Sequence, residues 1–201
     1  MNKTYCGIAL IIYLAALSPA QGDICETYPA KGMKPIYSYR GLYENYAWGY
    51  AIEIPRGLVG GSYQDPGAPQ HGIQVILSWE PRSTIHFSGE ANSLEDQATE
   101  RPLDAFGYCI FGLDTVRAYA KDVQSFEMRK SKLGTFNGYQ YIVRYTCPNM
   151  SQERVLERIV IIPTGRGLVY TVTLETTTIR FNDDHKVFLK FISTWHMIER
   201  K

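Results

Sequence analysis

The sequence predicts an α+β fold, an antiparallel β-sheet of about six or seven strands with a C-terminal helix packed on one face. Two observations carry this reading. Tyr139–Tyr145, Val155–Ile162 and Leu168–Thr176 are three apolar, partly alternating segments joined by short turns, which is the pattern of a meander. After them, Val187, Phe188, Phe191, Ile192 and Trp195 recur at helical spacing. That spacing makes one apolar stripe, which must lie on the sheet.

Taken in chain order, the first twenty residues read as a secretory leader. Lys3 supplies a positive start, Gly7 to Leu17 an apolar core, and Ser18-Pro-Ala20 small residues at a cleavage site. The apolar run is too short to span a bilayer. A mature chain beginning near Gln21 is expected to work in the periplasm or outside the cell. Residues 21–36 read as an N-terminal arm broken by Pro29, Gly32 and Pro35, and 37–201 as a single domain.

From Tyr46, large residues alternate through Trp48, Tyr50, Ile52 and Ile54 until Pro55, which predicts a strand. Residues 60–71 are rich in Gly, Ala and Pro and predict an exposed loop. Segments 72–79 and 84–88 predict a hairpin. Between Asn92 and Ala120, Leu103, Phe106, Ile110 and Leu113 are spaced for a helix, but Gly107 and Gly112 weaken it. Each glycine costs about 1 kcal/mol relative to alanine, so one or two helical pieces are expected. Phe126–Leu133 is the next strand. The last helix has Asn182 as its expected N-cap, with Asp183 and Asp184 at the positive end of the dipole.

Charge narrows the partners. Without Lys3, twenty basic residues balance twenty acidic ones. That balance argues against nucleic acid, which needs a basic surface. After the leader, no stretch approaches the roughly 20 apolar residues of a membrane helix.

Cys6 lies in the leader, which leaves Cys25, Cys109 and Cys147. In an oxidising compartment one disulfide and one free thiol are expected. Cys109–Cys147 is favoured among the three pairings, with Cys25–Cys147 next.

No motif with a stated mechanism is present, and no cofactor is expected. His185 beside Asp183 and Asp184 is the nearest approach to a metal set, and helix capping explains those acids. His71, preceded by a loop carrying Asp65, is a candidate binding residue. Tyr43, Tyr46 and Trp48 are candidates too, if their rings face outward rather than fill the core. Asn149-Met-Ser151 matches a glycosylation sequon, discounted because the leader reads as bacterial.

Asn45 to Leu58, together with the segments around Gly138, Glu157–Ile162, Gly167–Leu174 and Phe188–Trp195, resembles PsbP-like domains. The resemblance implies an α/β/α sandwich with a central antiparallel sheet, and non-enzymatic binding or scaffolding roles. No functional residue carries over from it. The expectation is therefore an exported, non-catalytic module that recognises another protein. The alternatives are an envelope hydrolase using His71 or His86, and a small-ligand or sugar binder.

Overall fold

Tyr139, Tyr141, Val143 and Tyr145 alternate along one strand, and the outcome is a strand one place in from the edge of a wide sheet. The computed structural model describes residue 25 and residues 29–63, 71–96, 98–148 and 150–200. The leader, Asp65 and the Asn149 sequon lie outside the described residues.

The strands are β1 (Tyr37–Tyr39), β2 (Gly41–Asn45), β3 (Tyr50–Ile54), β4 (Gly60–Ser62), β5 (Gly72–Trp79), β6 (Arg82–Ala91), β7 (Glu95–Asp96), β8 (Arg101–Pro102), β9 (Asp122–Leu133), β10 (Phe136–Thr146), β11 (Arg154–Ile161), β12 (Leu168–Thr177) and β13 (His196–Met197). The helices are α1 (Ala105–Tyr119) and α2 (Phe181–Ile192). The main sheet has eight strands in the order β1-β4-β5-β6-β12-β11-β10-β9, more than the sequence predicts. A three-stranded sheet, β13-β3-β2, lies apart from it.

Two apolar layers flank the main sheet. On one face, Ile73, Val75, Ile85, Phe87, Tyr170, Val172 and Leu174 pack with Ile52 and Ile54 of β3 and with Phe188, Phe191 and Trp195. On the other, Tyr141, Val143, Leu156 and Val160 pack with Tyr108, Cys109, Leu113 and Val116 of α1. Each fully buried side chain of this size contributes roughly 1.5–3 kcal/mol. The sheet is thus covered on both faces, where the strand and helix pattern predicts one.

Three local readings change. The expected strand from Tyr46 begins only at Tyr50, because Asn45 and Gly49 close a turn first. The Trp48 N–H donates to Asn45 Oδ1 at 3.2 Å, the Gly49 N–H donates to the Asn45 carbonyl at 2.7 Å, and Gly49 adopts φ +70°. The region 92–120 yields one helix of 15 residues, capped by Asp104 accepting from the Gly107 N–H at 2.7 Å. Helix α2 starts at Phe181, with Asn182 inside its first turn and not at the cap. There Asp184 is buried and accepts from Thr176 Oγ1 at 2.6 Å and from the Arg180 fork at 3.1 and 2.9 Å.

The disulfide is a further correction. Cys25 is bonded to Cys147, with Cα atoms 5.5 Å apart, and Cys109 is free. Helix α1 turns Cys109 down into the apolar layer, where it is fully buried. Cys147 sits just beyond the end of β10, within reach of the N-terminal arm.

Candidate functional site

The aromatic series divides at the β2–β3 turn. Tyr43 is only 4 % exposed, so its ring is not offered to a partner from outside. It meets Tyr39 at 4.7 Å and Tyr50 at 6.0 Å between ring centroids, and burial pushes its hydroxyl up to about 12. Tyr46 and Trp48, carried out of the pleat by the turn, are more open. Tyr46 is half-exposed. Trp48 is partly buried and stacks on the imidazole of His71 at 4.7 Å. His71 is fixed by its ring Nδ1, 3.2 Å from the Gly89 carbonyl, and by its own carbonyl, which accepts from the Tyr50 hydroxyl at 3.1 Å. The structure thus joins Trp48 and His71, two of the sequence candidates.

His71 and His86 do not assemble a catalytic group. Among the described residues, neither ring is hydrogen-bonded to a carboxylate or a hydroxyl. His86 lies on β6 with Thr173 and Gln74 as its neighbours in register. Burial, then the positive charge of Arg158, then His71, push its imidazole down to about 4. It is therefore neutral at pH 7. His185, Asp183 and Asp184 take separate partners: Glu157 for His185, Lys186 for Asp183, and Arg180 with Thr176 for Asp184. No group of three metal-ligating side chains occurs among the described residues.

Two features escape the sequence reading. The first is an open cleft of about 580 Å³ at the start of α1, lined by Asp104, Ala105, Lys130, Lys132, Asn137 and Tyr139. Phe106 meets Tyr139 ring to ring at 5.2 Å, and Phe106 and Ile110, one turn apart on α1, are both substantially exposed. The spacing 103–106–110 signals a helix face. Only the packed helix shows that part of this face stays outside.

The second feature is Arg158. Register places Gln74, His86, Thr173, Arg158 and Tyr141 side by side on the face that carries α1. Arg158 donates from Nε to Thr173 Oγ1 at 3.0 Å, and no carboxylate pairs with it among the described residues. Tyr141 is fully buried, and its hydroxyl has no hydrogen-bond partner. Gly112 of α1 sits above both groups. A Cβ there would come within 2.8 Å of the Tyr141 hydroxyl and 2.9 Å of Arg158 Nη1. A Glu157-Arg158 pair inside an otherwise apolar strand, Val155 to Ile162, is the signal from which it could have been found.

No family model and no curated protein sequence matches this chain. Solved structures do. Cyanobacterial PsbP (CyanoP) from Synechocystis sp. PCC 6803 is 15% identical, with 83% of this chain and 95% of that chain covered and a TM-score of 0.48. LpqN, involved in cell envelope biogenesis of Mycobacterium tuberculosis, is 11% identical, with 81% and 92% covered and a TM-score of 0.49. The Saccharomyces cerevisiae Ran-binding protein Mog1p is 10% identical, with 81% and 97% covered and a TM-score of 0.50. PsbP thus stands among the structural neighbours of this α+β chain, and at these identities the likeness is one of fold alone.

Proposed function

We propose that this chain is an exported, non-catalytic binding module that recognises another protein. The observation that carries the reading is the surface at the start of α1. Phe106 and Ile110 stand exposed beside a cleft of about 580 Å³ whose walls include Tyr139 and whose lining includes Lys130 and Lys132. Apolar anchors next to a pocket with a polar rim are the anatomy of a protein interface. The lysines favour a partner with acidic residues around an apolar centre. A leader-like start and a Cys25–Cys147 bond support an oxidising compartment. One protein of this fold, Mog1p, is Ran-binding.

The test is affinity capture from cell-envelope extract with the mature chain, read by mass spectrometry. A Phe106→Glu, Ile110→Lys double variant should lose a partner that the parent and a Tyr46→Ala, Trp48→Ala variant both retain. Equal capture by all three, or no partner retained by the parent, would count against this surface.

A further inference from the structure

We propose that the partner docks by adding an extended, acidic strand to the open edge of the main sheet at β9. This rests on reading the start of α1 as a protein interface, and it names the form and charge of what sits there. β9 ends the eight-strand order, and among the described residues only β10 pairs with it. It runs for 12 residues, where the opposite edge, β1, has three. An edge of that length offers a row of unused backbone N–H and C=O groups, the template for a further strand.

Register tells which residues carry those groups. The β9–β10 hairpin closes on Leu133 opposite Phe136, with two residues between them. Such a pair exchanges both backbone hydrogen bonds, and alternate residues then turn their N–H and C=O the other way. Leu133, Ser131 and Arg129 therefore bond to β10, and Lys132, Lys130 and Met128 face outward along the free edge. The same three lie on the α1 face, since Met128 is opposite Tyr141, which packs under α1. Lys130, Ser131 and Lys132 line the cleft of about 580 Å³, so an added strand passes along its wall.

Charge selects the strand. Both lysines are exposed, and neither meets a carboxylate among the described residues. Asp104, the acid in the lining, caps α1 at the Gly107 N–H. The residues of the added strand opposite Lys132 and Lys130 are therefore acidic. The residue opposite Met128, which is partly buried against the α1 layer, is apolar. Every pair in the main sheet is antiparallel, so the segment reads acid-x-acid-x-apolar. A second copy of this chain does not supply it. Outward residues pair only with outward residues, and Phe126, Met128, Lys130 and Lys132 include no acid.

The probe is a synthetic peptide, acetyl-Thr-Glu-Thr-Glu-Thr-Val-Thr-amide, added to the full mature chain and followed by NMR. Saturable binding should slow amide hydrogen exchange about tenfold or more at Met128, Lys130 and Lys132, and far less at Arg129 and Ser131, already bonded to β10. Methylating the backbone nitrogen of both glutamates should abolish binding. Methylating the threonine between them, whose N–H turns away, should not. A Lys130→Glu, Lys132→Glu variant, checked for folding by circular dichroism, should bind about tenfold or more weakly. No saturable binding, protection without this alternation, or equal binding of the two methylated peptides overturns the proposal. So does protection that grows with protein concentration in the absence of peptide, the mark of a second copy. In the envelope capture, a partner lost by Phe106→Glu, Ile110→Lys but retained by Lys130→Glu, Lys132→Glu leaves the α1 surface as the interface and removes the strand. A partner retained by Phe106→Glu, Ile110→Lys counts against that surface and is read apart from the peptide data.

Discussion

The Nδ1 of His185, on α2, lies 2.6 Å from Oε2 of Glu157, on β11. Glu157 is fully buried, and its other oxygen accepts from the Gln140 amide. Burial pushes the Glu157 carboxyl up, and His185 opposes that push. The pair ties α2 to the sheet at the edge of the apolar layer. It is also the reason His185 is not available to a metal with Asp183.

Removing the imidazole should therefore destabilise the fold in a pH-dependent way. In His185→Ala the buried carboxyl loses its main compensating partner, and its folded-state pKa rises further above the unfolded value. Stability from such a group is present below the unfolded pKa and is lost as pH rises through the folded one. The penalty should reach about 2 kcal/mol near pH 8 and shrink near pH 4, the modest size reflecting a histidine side chain that is 27% exposed. Urea unfolding at both pH values checks it. An equal penalty at both would show that the carboxylate is not the source.

His86 should have the opposite sign. Unfolded, it takes a proton near 6.5. Folded, it takes one only near 4, because burial, Arg158 and His71 disfavour the cation. Between those values the unfolded chain binds more protons, so acid weakens the fold and its contribution is complete above about pH 6.5. Thr173 and Gln74 flank the ring, and Glu90, on the same strand, is itself pushed up by burial. Relative to His86→Gln, the parent should lose on the order of 1–3 kcal/mol between pH 7 and pH 4. Parallel stability curves for parent and variant across that range would refute it.

Much of this architecture is legible in the residues. The β10–β11–β12 meander and the α2 stripe are dictated by periodicities of two and 3.6, which survive any tertiary context here. The β5–β6 hairpin is legible for the same reason. What is not legible depends on contacts between distant segments. Tyr46 and Trp48 continue the alternation of β3, yet the hydrogen bonds of Asn45 turn them out of the sheet. Gly107 and Gly112 speak against a continuous α1. Gly112 faces the ends of Tyr141 and Arg158, which must shift to admit even a Cβ. The cysteine pairing follows from where the arm and α1 pack, and spacing along the chain does not contain that information.

The three cysteines should separate cleanly in the test tube. The Cys25–Cys147 bond closes a segment with a sequence separation of 122, and its loss should cost about 2–5 kcal/mol. A reductant should lower the melting temperature of the parent and leave that of a Cys25→Ala, Cys147→Ala variant unchanged. The Cys109 thiol, buried and pushed up to about 12, should resist thiol reagents until the chain unfolds. Rapid labelling of Cys109 in the native protein would contradict its place under α1.

Two glycines in contact with opposite kinds of neighbour should respond differently to alanine. At Gly72, on β5, a Cβ would lie 1.7 Å from the Phe87 carbonyl oxygen of the paired strand. That atom is backbone in the interior of β6, so relief requires the ladder itself to move. Gly72→Ala should cost about 2–3 kcal/mol, at the upper end of overpacking effects. At Gly112 the nearest atoms, 2.8 and 2.9 Å away, belong to the Tyr141 hydroxyl and the Arg158 guanidinium. The arginine end is flexible and can withdraw, and alanine is a better helix former than glycine by about 1 kcal/mol. Gly112→Ala should therefore change stability by less than about 1 kcal/mol, measured by urea unfolding. A larger loss at Gly112 than at Gly72 would mean that Arg158 cannot move, and that the space above it is held by a rigid frame.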